Sequence, residues 1–427
     1  MIDIEDLRKN PSVYRTSMEK RNRDVGIINR FLEVDLLWRE SLQSVEKMRA
    51  EQKHLSQERK IDEAKSLKEK IQAHSDATKD YELKRQELLL LIPNILLSDV
   101  PVGKDANENK VLRQWGTPKK FNFEVKDHIA LGQALDIIDN ERASKISGAR
   151  FTYLKGGAAS LQLALINLVF AALTNPKIIK KIAGSVNKNL DTKPFVPVFP
   201  PHIINEEPYR RAGRLRDDNK DDKFHIESDN RFLIGSAEHS LATMFMDETL
   251  NEADLPLRFI AYSPSYRREA GSYGKDTKGI LRMHQFDKLE MESFTSAKTS
   301  EDEQNFFVAI QEYLMQKLDI PYQVVAICTG DMADPDARQI DIETWMPGQN
   351  CYRETHTSDL MLDYQTRGLN TKIKHADGLT SFAHTNDATA FAIGRILIAI
   401  LENYQTAKGT VTVPKALQKY TGFKEIK

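Results

Sequence analysis

Between Arg39 and Glu87 the chain runs without a proline or a glycine and is crowded with charged side chains. Such a stretch is too polar to be a core and has no residue that turns the chain sharply, so long solvent-facing helices are its natural form. Ala64, Leu67, Ile71, His74, Thr78, Tyr81 and Leu88 are spaced 3, 4, 3, 4, 3 and 7 apart, which is one heptad seam. Trp38, Leu42, Val45, Met48 and Leu55 make a second, less regular seam, separated from the first by the polar stretch Ser56 to Asp62. Two seams and one turn predict an antiparallel helical hairpin, a coiled coil whose arms of about 28 residues reach roughly 40 Å at 1.5 Å per residue. Pro93 closes the second arm, and Asp99 to Asn109 reads as a linker. With 12 basic and 11 acidic residues from Arg39 to Glu87, charge does not choose between a structural or partner-binding coiled coil and one that binds RNA. Both readings stay open.

The whole chain of 427 residues is long enough for two or three domains, and 40% hydrophobic residues suffice for a sizeable core. Its 61 basic and 62 acidic residues nearly cancel, which excludes a polybasic binder that works by bulk charge. Two cysteines, Cys328 and Cys351, cannot build a disulfide framework and fit a reducing compartment. The acidic start Met1 to Asp6 lacks a signal-peptide pattern, and the apolar run Leu163 to Leu173 is broken by Asn167 and short for a membrane span. The expectation is a soluble, cytoplasmic protein without a membrane.

From about residue 110 apolar helical stretches (Leu161 to Leu173, Phe391 to Leu401) alternate with β-like runs (Leu257 to Ser263, Ile280 to Met291, Tyr322 to Ile327). The pattern predicts an α+β domain built on an antiparallel sheet. There is no glycine-rich phosphate loop of either common type, so a nucleotide would be held by arginines and metal ions. Tyr266-Arg267-Arg268-Glu269-Ala270-Gly271 closes one β-like run, a loop with Gly271, Gly274 and Gly279 follows, and a second run extends from Ile280 to Glu292. Alternation in the second run puts Arg282, His284, Phe286, Lys288, Glu290 and Glu292 on one face, with Arg267 and Glu269 together on the partner strand. An aromatic ring, an arginine and carboxylates on one face suit an adenine, a phosphate and an amine; a solvated polar face gives the same pattern. Arg395, inside an apolar helix, must pair with an acid or contact an anion.

Five ordered blocks carry a more specific signal: Leu233-Ile234-Gly235-Ser236-Ala237-Glu238, the Tyr266 to Gly271 segment, Gly279 to Lys288, Pro347 to Glu354, and Ala392-Ile393-Gly394-Arg395 running on to Gln405. With the helical hairpin before them, the chain resembles the bacterial-type seryl-tRNA synthetases, class II aminoacyl-tRNA synthetases, over essentially its whole length. The resemblance implies a tRNA-binding arm over residues 1–104 and a class II catalytic domain over 105–427. It makes Arg267 the grip on the α-phosphate of ATP, with Glu269 beside the nucleotide, and Arg395 the contact to the γ-phosphate. Phe286 would stack on adenine, with Arg268, Met283, Thr355 and His356 expected alongside. Glu354 and Thr357 would hold Mg²⁺ on the phosphates. Ser236, Ala237 and Glu238 would lie beside the serine substrate, Glu290 would bind the amino acid, and Thr389 would read its hydroxyl. Ala164 to Pro200 would form a homodimer interface, and the arm of the partner subunit would reach the long variable arm of serine tRNA. The implied reaction is activation of L-serine by ATP to seryl-adenylate, then transfer to tRNA. The alternative is a synthetase-like paralogue that delivers an activated amino acid to a carrier protein or small molecule.

The chain departs from the family where it meets the amino acid. Thr355-His356-Thr357-Ser358-Asp359-Leu360 replaces the family's Ile-Ser-Ser-Cys-Ser-Asn, and Asp387-Ala388-Thr389-Ala390 replaces Asn-Gly-Ser-Gly. Asp387 puts a carboxylate beside the pocket, and Ser236 stands where threonine is usual. Cys328 and Cys351 have no partner spacing for zinc.

Overall fold

The structure is a computed structural model that describes residues 1–269 and 279–427. Ala270, Gly271 and Gly274 of the expected site loop lie outside the described residues. The chain separates into two compact units, Met1–Ile95 and Leu96–Lys427.

The first unit is dominated by helix α1 (Gly26–Gln57) and helix α2 (Ile61–Leu90), 32 and 30 residues long. Both are longer than their seams suggested, so each arm reaches about 45 Å. Only Glu58–Lys60 lies between them, with Arg59 in a left-handed conformation at φ 60°. Val45, Ala64, Ile71 and Thr78 are buried in the seam, while Leu67, Tyr81 and Leu88 are half-buried. His74, expected in the seam, is exposed, and the adjacent Ser75 turns inward instead. At 3.6 residues per turn a helix drifts by about 20° per heptad, enough to hand one position to its neighbour. Polar groups on the seam pair across it: the Ser41 and Thr78 hydroxyls are 2.7 Å apart.

At the base of the hairpin a fully buried carboxylate ties three elements together. Asp35 on α1 accepts from Arg8 (Nε to Oδ2, 2.8 Å), from Arg39 (Nε to Oδ2, 3.1 Å) and from Arg85 on α2 (Nε to Oδ1, 2.7 Å). Arg85 also lies over the Trp38 ring, 4.4 Å from its centroid. Burial pushes the Asp35 carboxyl up, but the bonds from Arg8 and Arg85 outweigh it and hold it below its ordinary value.

In the second unit eight strands form one sheet: β1 (Lys110–Trp115), β2 (Val196–Val198), β3 (Leu257–Tyr266), β4 (Gln285–Thr295), β5 (Tyr322–Ala326), β6 (Arg338–Met346), β7 (Cys351–Leu362) and β8 (His384–Ala392). Their order is β1-β5-β6-β7-β8-β4-β3-β2, and every pair is antiparallel except β2 with β3. One face of the sheet is apolar: Leu289, Met291, Ile340, Ile342, Ala388 and Ala390 are buried in the main core. Covering that core are helices α3 (Gly156–Leu173), α4 (Ser300–Leu318) and α5 (Ile393–Asn403). Gln311 on α4 donates to the carbonyls of Thr357 and Thr389, both at 2.9 Å, which locks β7 and β8 to the helix.

Several boundaries differ from the sequence expectation. The strand expected from Ile280 begins only at Gln285, so Arg282 and His284 precede the sheet. Strand β3 ends at Tyr266, so Arg267 and Glu269 do not share a strand face, and Glu269 is left-handed at φ 53°. Helix α5 starts at Ile393, which puts Arg395 in the first turn rather than in a buried interior; its side chain is 27% exposed. Helix α3 is longer than the apolar run within it and long and apolar enough to cross a membrane by length and composition. Its Leu161, Leu165, Leu168 and Val169 are buried in the core, which accounts for that apolarity.

The Asp35 cluster predicts a pH-dependent arm. Asp35→Asn should weaken the base of the hairpin at pH 7 by about 2 kcal/mol, discounted because the arginines are partly hydrated. Because the folded carboxyl titrates below its unfolded value, the stabilisation is complete above about pH 4 and disappears as pH falls through the folded value. Amide exchange in α1 and α2 should therefore be roughly 30-fold faster in the variant at pH 7. Equal exchange in the two proteins at pH 7 would show that the cluster does not hold the arm.

Candidate active site

The polar face of the sheet carries the expected residues, and the register shows how. Along β4, Phe286, Lys288, Glu290 and Glu292 point the same way, opposite Ser265, Ser263, Ala261 and Phe259 of β3. A bulge on β8 at Ala390 lets Phe391 pair with Leu289 in the core while Thr389 pairs with Glu290 on the polar face. A second bulge, at Thr355 on β7, sets Glu354 opposite Glu343 and Thr357 opposite Asp341. Glu354 and Thr357 thus share a face although they stand three positions apart, an odd step that plain alternation would put on opposite faces. Without the two bulges the alternation would aim Glu354 and Thr389 to opposite sides of the sheet from their present partners.

At one end of this face the groups suit a nucleotide. The Arg267 guanidinium lies over the Phe286 ring, 5.2 Å from its centroid, and its Nε donates to the Gly235 carbonyl at 3.0 Å. Arg395 Nη1 donates to the Glu354 carboxylate at 2.7 Å and to its carbonyl at 2.9 Å. Partial desolvation acts to raise Glu354, whose side chain is 49% exposed, but Arg395 prevails and holds the carboxyl below its ordinary value. Gly394 is required beside it, since a side chain there would crowd the Ile280 carbonyl at 3.1 Å. Arg268 is exposed, with its guanidinium 6.0 Å from the Phe224 ring. Glu269 is held by Arg282 at 2.8 Å.

Not every expected nucleotide residue faces this end. Met283 is buried in the main core. The Thr355 hydroxyl lies 2.7 Å from that of Thr344, and His356 Nδ1 lies 2.8 Å from the same Thr355 oxygen. The His356 ring packs against Phe391, and burial pushes its pKa down to about 3, so it is neutral. Bulging at Thr355 turns these two side chains into the packing of the strand. Ala237 is likewise buried in a small core with Leu241, Phe259 and Phe294.

At the other end the face is a buried set of acids. Glu290 is ion-paired with Lys288 and accepts from the Ser236 hydroxyl at 3.3 Å; burial still leaves its carboxyl above the ordinary value. Glu238 accepts from Arg214 Nε at 2.6 Å and from Gln365 Nε2 at 2.8 Å. Glu292, Asp387 and Asp359 sit directly abreast on β4, β8 and β7. Both carboxyl oxygens of Glu292, one of Asp387 and one of Asp359 are buried without a hydrogen-bond partner. Burial pushes all three well above the ordinary carboxylate range, with neighbouring acids behind it: Asp387 for Glu292, Asp336 and Asp387 for Asp359, and Glu238 for Asp387. Thr389, opposite Glu290, completes this end. Glu292 stood in the alternating set visible in the sequence. Arg214 did not: it follows an arginine pair without periodicity and meets Glu238 only in the fold.

The donor set bears on a metal. Glu354 and Thr357 offer one carboxylate and one hydroxyl on a shared face, hard oxygens of the kind Mg²⁺ takes. Among the described residues no group of three His, Cys, Asp or Glu could hold a metal ion, so the pair fits an ion that brings phosphate oxygens and water as its remaining ligands.

Comparison with known proteins decides the family. The sequence pattern of the seryl-tRNA synthetase N-terminal domain matches residues 1–96. That of the tRNA synthetase class II core domain (G, H, P, S and T) matches residues 223–404. A serine–tRNA ligase of Thermosipho melanesiensis is 39% identical, with all of both chains covered, and one of Petrotoga mobilis is 38% identical over 99% of each. The solved seryl-tRNA synthetase of Pyrococcus horikoshii, complexed with ATP, superposes with a TM-score of 0.88 at 33% identity, covering 100% of this chain and 99% of that one. The chain belongs to the seryl-tRNA synthetase family. Its α+β fold with a helical hairpin in front is the fold of that family.

The acid row makes a prediction about stability. Because its folded pKa is raised, Glu292 favours folding fully below about pH 4 and progressively less as pH rises toward its folded value. Glu292→Gln removes that slope, so the variant should gain in melting temperature over the parent as pH goes from 5 to 8. Parallel melting curves across this range would mean that Glu292 titrates normally.

Proposed function

We propose that the protein is a serine–tRNA ligase, forming seryl-adenylate and pyrophosphate from L-serine and ATP and passing the seryl group to the 3′ end of tRNA(Ser). The observation that carries this is the match along the full chain, hairpin and catalytic unit together, to seryl-tRNA synthetases. The hairpin weighs against delivery to a carrier protein, which gives a long arm nothing to do.

In this reading Phe286 stacks on adenine, Arg267 grips the α-phosphate and Arg395 the γ-phosphate, leaving its pairing with Glu354 to do so. Arg268 and Glu269 flank the nucleotide. Mg²⁺ held at Glu354 and Thr357 neutralises charge on the phosphates when bound. Glu290, Glu238 and Ser236 receive the amino acid, with Asp387 and Thr389 toward its side chain. No protein nucleophile is needed: the serine carboxylate attacks the α-phosphorus, and the chain contributes position and countercharge. Active sites of this chemistry sit in the cytoplasm with their tRNA, where two unpaired cysteines are at home.

The protein acts as a homodimer in this proposal. Leu163 on α3, Val196 on β2 and Phe199 are 62%, 54% and 77% exposed, and Phe199 stacks on Phe170 of α3. Such an apolar patch is costly to leave in water and suits a second copy. The arm of each subunit would then present tRNA to the other.

Amino-acid-dependent ATP–pyrophosphate exchange across the twenty amino acids tests the central claim: a serine signal is expected, and a different or absent signal overturns it. Deleting Arg39 to Glu87 should leave serine-dependent exchange within about threefold while lowering tRNA charging by roughly 100-fold or more. Unchanged charging would remove the arm from the reaction. Phe199→Asp should convert the dimer to a monomer in sedimentation velocity; a parent protein that already sediments as a monomer would refute the dimer.

A further inference from the structure

The amino-acid end of the site contains a guanidinium whose hydrogen bonding is incomplete on one side only. Arg214 follows Gly213, whose φ of 75° turns the chain, and its side chain is nearly buried among the acids. Its Nε is committed to Glu238 at 2.6 Å, and Gln365 fixes the same carboxylate oxygen. Nη2, by contrast, lies 3.6 Å from Asp387 Oδ2, too far for a hydrogen bond. It makes a 4.0 Å contact with the Met361 sulfur, a weak acceptor. Asp387 Oδ2 is buried with no hydrogen-bond partner. A charged donor and a carboxyl oxygen therefore face each other across a gap that neither closes, where unmade hydrogen bonds are expensive. Two neighbouring cations are otherwise engaged: Lys288 with Glu290, and Arg267 with the Gly235 carbonyl and the Phe286 ring.

We propose that Arg214 and Asp387 read the side-chain hydroxyl of the amino-acid substrate as one unit, the hydroxyl oxygen accepting from Arg214 Nη2 while it hydrogen-bonds Asp387 Oδ2. This rests on the serine-activating reading given above. A hydroxyl is suited to the gap because it accepts and donates at one atom, and it can bond Asp387 whether that group is a carboxylate or a carboxylic acid. Alanine would leave both partners unpaired, the arrangement by which a polar pocket rejects an analogue that lacks the group. Arg214 thereby becomes a specificity residue that also anchors Glu238, and Asp387 its partner.

The test is ATP–pyrophosphate exchange with serine and with alanine, on the full-length protein and on R214K, R214M, D387L and R214M/D387L. Each single variant should lower kcat/KM for serine by about 100-fold. Alanine kcat/KM should fall at least about tenfold less than serine kcat/KM, part of its fall coming from the loosened Glu238, so that the serine-to-alanine ratio collapses while the KM for ATP stays within about threefold. The double variant should be no more than about tenfold worse than the poorer single variant, because both side chains act on the same hydroxyl. R214K separates loss of the fork from loss of charge. Should an Arg214 variant fail to fold in a melting assay because Glu238 has lost its counterion, D387L carries the test, since it leaves the Arg214–Glu238 pair in place and removes a buried carboxyl oxygen that has no partner. An unchanged serine-to-alanine ratio, an equal fall for both amino acids, or fully multiplicative losses would overturn the inference and leave Arg214 a structural counterion. Absence of serine-dependent exchange in the parent protein would instead overturn the proposed function itself.

Discussion

A strand sends successive side chains to opposite faces, and the catalytic unit is arranged around keeping those two faces chemically apart. One face of the eight-stranded sheet is packed under α3, α4 and α5 with Leu289, Met291, Ile342 and Ala388. The other holds Phe286, Lys288, Glu290 and Glu292 of β4 beside Asp387 and Thr389 of β8. A slip of one residue in any pairing would drive carboxyl groups into the core, a cost far above that of losing a few apolar contacts. Register is therefore strongly specified, and the site inherits its precision from that constraint. Bulges at Ala390 and Thr355 reset the alternation beside Thr389 and Glu354.

The charges on the polar face are organised by their neighbours. Near Phe286 and Arg395 the cations prevail: Arg395 holds the half-exposed Glu354 carboxyl below its ordinary value against partial desolvation. Near the amino-acid end the acids are in excess, and burial with mutual repulsion holds Glu292, Asp387 and Asp359 toward their neutral forms. Carboxyl groups in three abreast positions would not survive there fully ionised with Arg214 as the nearest cation. An ammonium-bearing substrate is a natural complement to such a pocket, and a negatively charged nucleotide to the other end. In the proposed function the polarity of the face would order the two substrates along it. In the arm the same physics acts at one point, where Asp35 is bonded by three arginines and holds the base of an otherwise weakly packed hairpin.

Helices in the arm were legible because the cues were local: no proline or glycine, and a seam repeating every 3 or 4 residues. Phe286, Lys288, Glu290 and Glu292 were legible as one set because strand alternation is equally local. Other placements were not. Thr355 and His356 directly follow a motif block yet turn into the packing, because the bulge that redirects them is set by pairing with β6. Arg282 and Glu269 were placed on strands but meet as a loop ion pair. Arg214 gave no signal, since its partners Glu238 and Asp387 come from 24 and 173 positions further along the chain.

What the sequence determined by itself was a helical hairpin, an antiparallel α+β domain and a set of residue types suited to a nucleotide and an amino acid, because periodicity and short motifs are written in neighbouring positions. Tertiary structure alone decided which face each motif residue occupies, which acids are pushed toward their neutral forms, and which arginine meets Glu238 and faces Asp387. Those outcomes depend on strand register, on bulges and on desolvation by distant parts of the chain, and none of these is a property of any short run of residues.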